Sequence, residues 1–325
     1  MRILAVAEFD PAGVLAGHRR VLRAHGVDYR VAVHDAYRLL TPDLGVYDWI
    51  QGVPSQCDVE ALADFAHNAD VLQFHPAIGQ PWSYTTLDFN PYADADDKPY
   101  GDIDWHDVRY AKAARVAYFH GSRNCAHQPT RYAALYRGRG MAIWTSTIDY
   151  ACWLPALYAP PAMRLAGRAA LRGQYEPLVV AHAPTDPAIC HTDAYQTAAQ
   201  AAGAVTVFKH LRPHAEVLQA KREAHAGFDH LRGCFSVNTL ENSALGLVPL
   251  VGIAHEFRPR LHTELPNYPP WPELATLGDL QHELHRLVND VGYTRQQQHA
   301  AYEWTQSAWS DAAIAERLVK AYTRL

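Results

Sequence analysis

Short apolar runs along this chain alternate with stretches whose apolar residues recur every three or four positions, and the alternation predicts an α/β protein with parallel strands. The first run is "RILAVAEFD" (Arg2–Asp10). Behind it "PAGVLAGHRRVLRAHG" sets Val14, Leu15, Val21 and Leu22 at helical spacing, and "DYRVAVH" (Asp28–His34) follows as a second strand. "DVEALADFAHNADVLQFHP" reads as helix then strand, "VRYAKAARVAYFHGS" repeats the pattern, and "RGMAIWTS" predicts a strand near Met141–Ser146. A second cycle starts at "EPLVVAHAPT" (Glu176–Thr185). It runs through "TDAYQTAAQAAG" (helix), "AVTVFKH" (strand) and "HAEVLQAKREAH" (helix) to the strand "VPLVGI". Amphipathic helices, "LGDLQHELHRLVNDVG" and "QHAAYEWTQSAWSDAAIAERLVKAYTRL", close the chain.

The prolines of "LPALYAPPAM" (Leu154–Met163) disfavour helix and central strand, so this segment is expected to link two Rossmann-like halves. The expected domains are 1–158 and 159–305, with a last helix, 306–325, packing back towards the first. A length of 325 residues agrees with two cores.

Composition narrows the class. With 49% hydrophobic and 19% charged residues the chain is globular. No apolar run approaches the roughly 20 residues that span a bilayer, so a cytoplasmic protein without a transmembrane segment is expected. The formal charge of −5 argues against a wholly basic nucleic-acid clamp and leaves a local basic patch open. Cys57, Cys125, Cys152, Cys190 and Cys234 form no C-x-x-C pair, so reduced and mostly buried thiols are expected. The 19 histidines are dispersed without metal-ligand spacing.

Chemistry concentrates in "FDHLRGCFSVNTLENSALGLVPLVGI" (Phe228–Ile253). Its small residues run into a helix start, which suits an anion because the leading amides are unpaired there. Glu241, one or two turns further on, suits a sugar hydroxyl. The bland alternative for Glu241 is a carboxylate that interacts with the helix dipole alone.

These residues resemble those of retaining GT-B-fold glycosyltransferases. The family pattern D-Q-x-x-x-G-x-x-G-x-x-x-x-E-x-x-A-x-G-x-P is matched at Asp229, Gly233, Glu241, Ala244, Gly246 and Pro249, with His230 for the glutamine and Ser236 for the middle glycine. "HAPTDPAICHT" is similar to the family's H-A-P-(S/T) strand end followed by K-G-T, of which Thr192 is present. The resemblance implies a GT-B architecture, two Rossmann-like domains facing a cleft, and a nucleotide-sugar co-substrate with no metal or other cofactor. It places Gly13, His182, Thr185, Gly233, Ser236, Val237, Asn238, Thr239 and Glu241 at the donor, with Glu241 on the ribose. His120 of "FHGS", followed by Gly121, is expected at the donor sugar; a strand-end polar cap is the alternative. The family's Arg and Lys after the first strand of the second domain are missing. Lys209 and Arg212 are therefore expected to balance the diphosphate and, with His120, to form the catalytic set. Gly233 also stands where many relatives carry a second glutamate. The implied reaction is front-face, retaining transfer to a hydroxyl, with amides and cations stabilising the departing phosphate.

The acceptor stays open between a glycan, a lipid-linked precursor, a protein and a hydroxylated DNA base. The DNA reading needs a basic face, for which Arg109, Lys112, Arg115, Arg123, Arg131, Arg137 and Arg139 are the candidates; solvated surface residues explain them equally. A non-catalytic nucleotide-sugar-binding protein of the same fold is the other alternative, with an epimerase more remote. The segment "LDFNPYADADDKPYGDIDWHD" (Leu87–Asp107) reads as a solvated loop, or as an acceptor-facing lid with Trp82, Tyr84, Tyr92 and Trp105.

Overall fold

The computed structural model describes residues 1–7, 13–33, 47–50, 58–75, 112–119, 129–138, 140–154, 156–162, 167–184, 187–188, 190–210, 212–231, 234–265 and 267–325. These divide into two units, Met1–Ala162 with Ile314–Leu325, and Met163–Ala313. The segment 87–107 lies outside the described residues.

The first unit runs β1 (Arg2–Ala7), α1 (Val14–Ala24), β2 (Asp28–Val33), β3 (Trp49–Ile50), α2 (Val59–His67), β4 (Val71–His75), β5 (Ala114–Phe119), α3 (Pro129–Gly138), β6 (Ala142–Thr145), α4 (Ile148–Trp153) and β7 (Leu157–Tyr158). All seven strands are parallel, in the order β3-β2-β1-β4-β5-β6-β7. Ile3 to Ala7 have no exposed surface, as befits a strand in the middle of a parallel sheet. Helix α1 buries Val14, Leu15, Gly17, His18, Val21 and Leu22, one face at helical spacing. The strand order reverses between β1 and β4, the position at which open α/β sheets bind ligands.

The proline-rich stretch expected as a linker differs in one respect: Leu157–Tyr158 pair with β6 as the edge strand of this sheet. Proline next to an edge strand leaves no ladder bond unmade, which reconciles the composition with the structure.

Residues 159–162 then lie along α1. A Cβ at Gly17 would fall 1.9 Å from the Ala162 carbonyl oxygen, so only glycine allows this approach. The Tyr118 hydroxyl donates to Ala159 O at 2.5 Å, and His18 Nε2–H donates to Pro160 O at 3.0 Å. His18 has no exposed surface and its Nδ1 has no partner among the described residues.

The second unit contains β8 (Val179–His182), α5 (Thr192–Ala202), β9 (Val205–Phe208), α6 (His214–Arg222), β10 (Ala226–Phe228), α7 (Val237–Leu245), β11 (Val248–Leu250), α8 (Arg258–Glu264), α9 (Leu277–Asn289) and α10 (Val291–Ala308). Its strands are parallel in the order β11-β10-β8-β9, so the order reverses between β8 and β10. Leu178, Val180, Tyr195, Phe228 and Leu250 pack with Leu280, Leu284 and Leu287 of α9 in one core. Helix α9 starts in a capping box, in which Thr276 and Asp279 satisfy each other's leading amides.

The final amphipathic run is broken at Trp309–Ser310, and α11 (Asp311–Tyr322) joins the first unit from Ile314. There the Tyr322 hydroxyl donates to the buried Gln73 Oε1, and its ring lies 4.7 Å from that of Trp144. No helix among the described residues is long and apolar enough to cross a membrane.

Burial pushes the His18 pKa down from 6.5 to about 4, against the smaller upward pull of its bond to Pro160. The folded state therefore resists protonation that the unfolded chain accepts. Stability is lost as pH falls from 6.5 towards 4, by about 3 kcal/mol in total. Denaturant unfolding of the wild type and of His18→Leu at pH 7.5 and pH ~4.5 checks this. The stability difference between the two proteins should narrow or reverse at the lower pH; parallel pH dependences would contradict it.

Candidate functional site

The reversal between β8 and β10 brings together the end of β8, the loop behind β10 and the start of α7. His182 closes β8 and is 1% exposed. Its Nδ1–H donates to Phe228 O at 3.1 Å, which leaves Nε2 to accept from the Thr192 hydroxyl at 2.8 Å. The rings of Tyr195 and Phe228 flank it at 4.9 and 5.0 Å. Burial lowers its pKa, so the imidazole is neutral and in one tautomer. This corrects the expectation that His182 donates to a diphosphate: both ring nitrogens are taken by the protein, and the residue supports the site from beneath.

Asp229 follows β10 and gathers the next loop around its carboxylate. Oδ2 accepts from the Ser236 hydroxyl at 2.6 Å, the Thr239 hydroxyl at 2.5 Å and the Ser236 N–H at 3.3 Å. Oδ1 accepts from the Asn238 side-chain amide at 3.2 Å. Burial alone would raise the pKa of this group. The neighbouring His230 and the donors on Ser236, Thr239 and Asn238 outweigh it and hold the carboxyl below its ordinary range. Ser236 is also the N-cap of α7, its Oγ accepting from Asn238 N–H at 3.0 Å.

The side chains of Ser236, Asn238 and Thr239, expected at the donor, are therefore turned inwards to Asp229. So are the N–H groups of Ser236 and Asn238, the first bound to Asp229 and the second to the cap. Among the described residues, the Val237 and Thr239 backbone N–H groups have no partner. They are what this helix start retains for an anion.

Glu241 lies in the second turn of α7, facing α6. Its Oε2 accepts from Lys221 Nζ at 2.6 Å and its Oε1 from His214 Nε2 at 2.7 Å. The Lys221 side chain is 2% exposed, that of Glu241 16% and that of His214 46%. Burial would raise the Glu241 pKa, but the Lys221 charge and the His214 hydrogen bond and charge bring it down to about 2. The same hydrogen bond raises the pKa of His214 against partial burial. Glu241 thus pairs with a buried ammonium and an imidazole and not with the helix dipole alone. A carboxylate has about four acceptor positions, so each oxygen retains one for a hydroxyl.

Lys209 and Arg212 follow β9. Lys209 N–H donates to His182 O at 2.9 Å, and Arg212 is exposed in the turn before α6. Neither side chain forms an ion pair among the described residues. Gly13 heads α1 with φ 68°, a conformation that glycine adopts without strain, beside the reversal in the first sheet. His120, Thr185 and Gly233 lie outside the described residues. Among the described residues no group of three His, Cys, Asp or Glu is placed to hold a metal ion.

Lys221 and His214 were not legible as site residues. The one available signal was a lysine beside Ala220 on the inner face of a short helix, a charge that needs a partner if it is buried.

No family model matches the sequence, and no curated protein matches it. Solved structures are similar over the whole chain. HepE of Anabaena, in complex with UDP and glucose, superposes with a TM-score of 0.64 at 10% identity, covering 100% of both chains. A glycosyltransferase of Rickettsia africae gives 0.62 at 10% identity, covering 99% of this chain and 98% of that one. The O-GlcNAc transferase of Thermobaculum terrenum gives 0.50 at 13% identity, covering 100% of this chain and 67% of that one. The fold of the chain is GT-B.

The raised pKa of His214 means that its bond to Glu241 gains full charge assistance below pH 6.5 and loses it as pH rises through the folded value. An NMR titration should place the imidazole above 6.5 in the wild type and at or below 6.5 in Glu241→Gln, where burial opposes protonation without a carboxylate. Identical titration curves would show that the pair does not form in solution.

Proposed function

We propose that the chain is a glycosyltransferase whose second unit binds a nucleotide-sugar donor for transfer to an acceptor hydroxyl. The observation that carries this reading is the Glu241 carboxylate. It is ionised and aimed by Lys221 and His214 in the second turn of a helix that starts at a strand-order reversal. Such a group suits the vicinal hydroxyls of a ribose, with about 1.5–3 kcal/mol for each hydrogen bond to a charged acceptor. In this reading the diphosphate meets the Val237 and Thr239 amides, and Lys209 and Arg212, which follow the strand next to β8, supply the cations.

The GT-B fold supports the donor class, and HepE, which shares the fold, has been solved with UDP-glucose and with UDP. Uridine nucleotides are therefore the first donors to test. The transfer proceeds with retention and without a metal requirement in this reading: amides and cations take up the charge that grows on the leaving phosphate, and that phosphate accepts the proton of the attacking hydroxyl.

The choice of variant follows from the buried pair. Glu241→Ala would strand the Lys221 ammonium in the interior, at a cost of about 3–5 kcal/mol. Glu241→Gln keeps the shape and an oxygen acceptor for Lys221. In a calorimetric comparison of uridine, guanosine, cytidine and adenosine diphosphates, one nucleotide should bind selectively, and Glu241→Gln, titrated below its unfolding midpoint, should weaken it about tenfold or more; that midpoint should fall, because the buried Lys221 loses its counter-charge while keeping an oxygen acceptor. Donor turnover at subsaturating concentration should fall by a similar factor. Equal binding and turnover in the variant would remove Glu241 from the donor site.

A further inference from the structure

We propose that Lys221 is a positioning residue for donor recognition, acting through Glu241 to make the site select ribonucleotides over their 2′-deoxy counterparts. The inference rests on the reading of Glu241 as the ribose acceptor, and it assigns the buried lysine behind that carboxylate.

Three features of the geometry carry it. Lys221 Nζ meets Glu241 Oε2 at 2.6 Å, and the lysine side chain is almost wholly out of water. It has no route to a ligand except through the carboxylate it holds. Glu241 is the more exposed partner, so the pair has a buried donor end and an accessible acceptor end. His214 occupies the other oxygen from the exposed side at 2.7 Å, so the carboxylate plane is held at both oxygens before any ligand arrives.

The chemistry follows from which groups face the carboxylate. Lys221 and His214, both on α6, are the charged or titratable groups that act on it, and both favour its ionised form. An ionised, immobilised carboxylate is a good acceptor for two adjacent hydroxyls and a poor partner for a sugar that presents one. A carboxylate released from Lys221 is held at one oxygen only, by His214, so it loses the fixed geometry that favours a diol and part of the bias towards its ionised form. Lys221 thus contributes to selectivity without touching the nucleotide.

A double-mutant cycle tests the assignment. The full-length wild type, Lys221→Met, Glu241→Gln and the double variant are each titrated calorimetrically with the preferred nucleoside diphosphate and with its 2′-deoxy form. The wild type should prefer the ribonucleotide about tenfold or more, and Lys221→Met should lose most of that preference while binding the deoxy form as before. In the Glu241→Gln background, Lys221→Met should produce no further loss, because the lysine acts through the carboxylate. If Lys221→Met proves too unstable to titrate, Lys221→Gln, which keeps a hydrogen-bond donor to the carboxylate without the charge, takes its place in the cycle, with the same loss of ribonucleotide preference expected.

Wild-type selectivity that survives in Lys221→Met would overturn the proposal while leaving nucleotide-sugar binding intact. So would additive losses across the cycle, or equal weakening of ribo and deoxy forms. A wild type that binds no nucleoside diphosphate would overturn both this assignment and the proposed function.

Discussion

A carboxylate and an ammonium that leave water together set the relation between α6 and α7. An isolated buried lysine or glutamate shifts its pKa and neutralises, because the interior solvates charge poorly. Lys221 and Glu241 avoid this by meeting at 2.6 Å, with His214 completing the carboxylate. Lys221 lies in the last turn of α6 and Glu241 in the second turn of α7, with β10 between them in the chain. The contact therefore closes the whole α6-β10-α7 segment and fixes how far each helix is displaced along the other. A pair of this kind adds little net stability compared with an apolar replacement of the same shape, but breaking it from one side is costly. Its value lies in orientation, which a ligand-binding carboxylate needs more than stability.

The same physics acts beneath the start of α7. Asp229 draws four donors onto one buried carboxylate, so the start of α7 at Ser236, Asn238 and Thr239 closes on an internal anion. Its shape is accordingly built before any diphosphate arrives. The cost is that several of the groups nearest an incoming anion are already spent and a fixed negative charge lies below them. An external phosphate must then rely on the remaining amides and on mobile cations. In the proposed donor reading Lys209 and Arg212, which form no ion pair among the described residues, therefore matter more than they would at an empty helix start.

Much of the fold was legible because parallel α/β architecture writes itself in fully apolar strands. β1 and β8 read correctly from runs in which all but one residue is apolar, β4 from Val71, Leu72 and Phe74, and α1 from the spacing of Val14, Leu15, Val21 and Leu22. β7 was hidden because two residues beside prolines carry no periodicity, and its existence depends on pairing with β6. The break at Trp309 was hidden because both sides of it are equally amphipathic. The site was legible in location and less so in wiring. Glu241 stood out by its spacing within the loop-helix stretch, whereas the direction in which Ser236, Asn238 and Thr239 point depends on Asp229, and the partner of Glu241 lies 20 residues away on another helix. Hydrogen-bond direction and long-range charge pairing leave no periodic trace.

The departures from the resembled K-G-T triplet become intelligible residue by residue. Thr192 is bonded through its hydroxyl to the Nε2 of His182, whose tautomer the Phe228 carbonyl fixes, and no apolar residue could satisfy that nitrogen. His191 holds φ 54° in the left-handed region, where a side chain costs about 1–2 kcal/mol relative to glycine, so the backbone turn has been kept although the residue that makes it easy has not. Cys190, where the pattern has lysine, is buried, and the head of α5 carries no cation in that position. The neighbouring strand β9 is followed by Lys209 and Arg212 instead, and β9 pairs directly with β8, with His182 opposite Phe208. The two lysine and arginine side chains nearest this sheet end in sequence thus follow the strand beside β8 and not β8 itself. In the proposed donor reading, these two side chains on the neighbouring element are the ones that would meet the electrostatic requirement of a diphosphate.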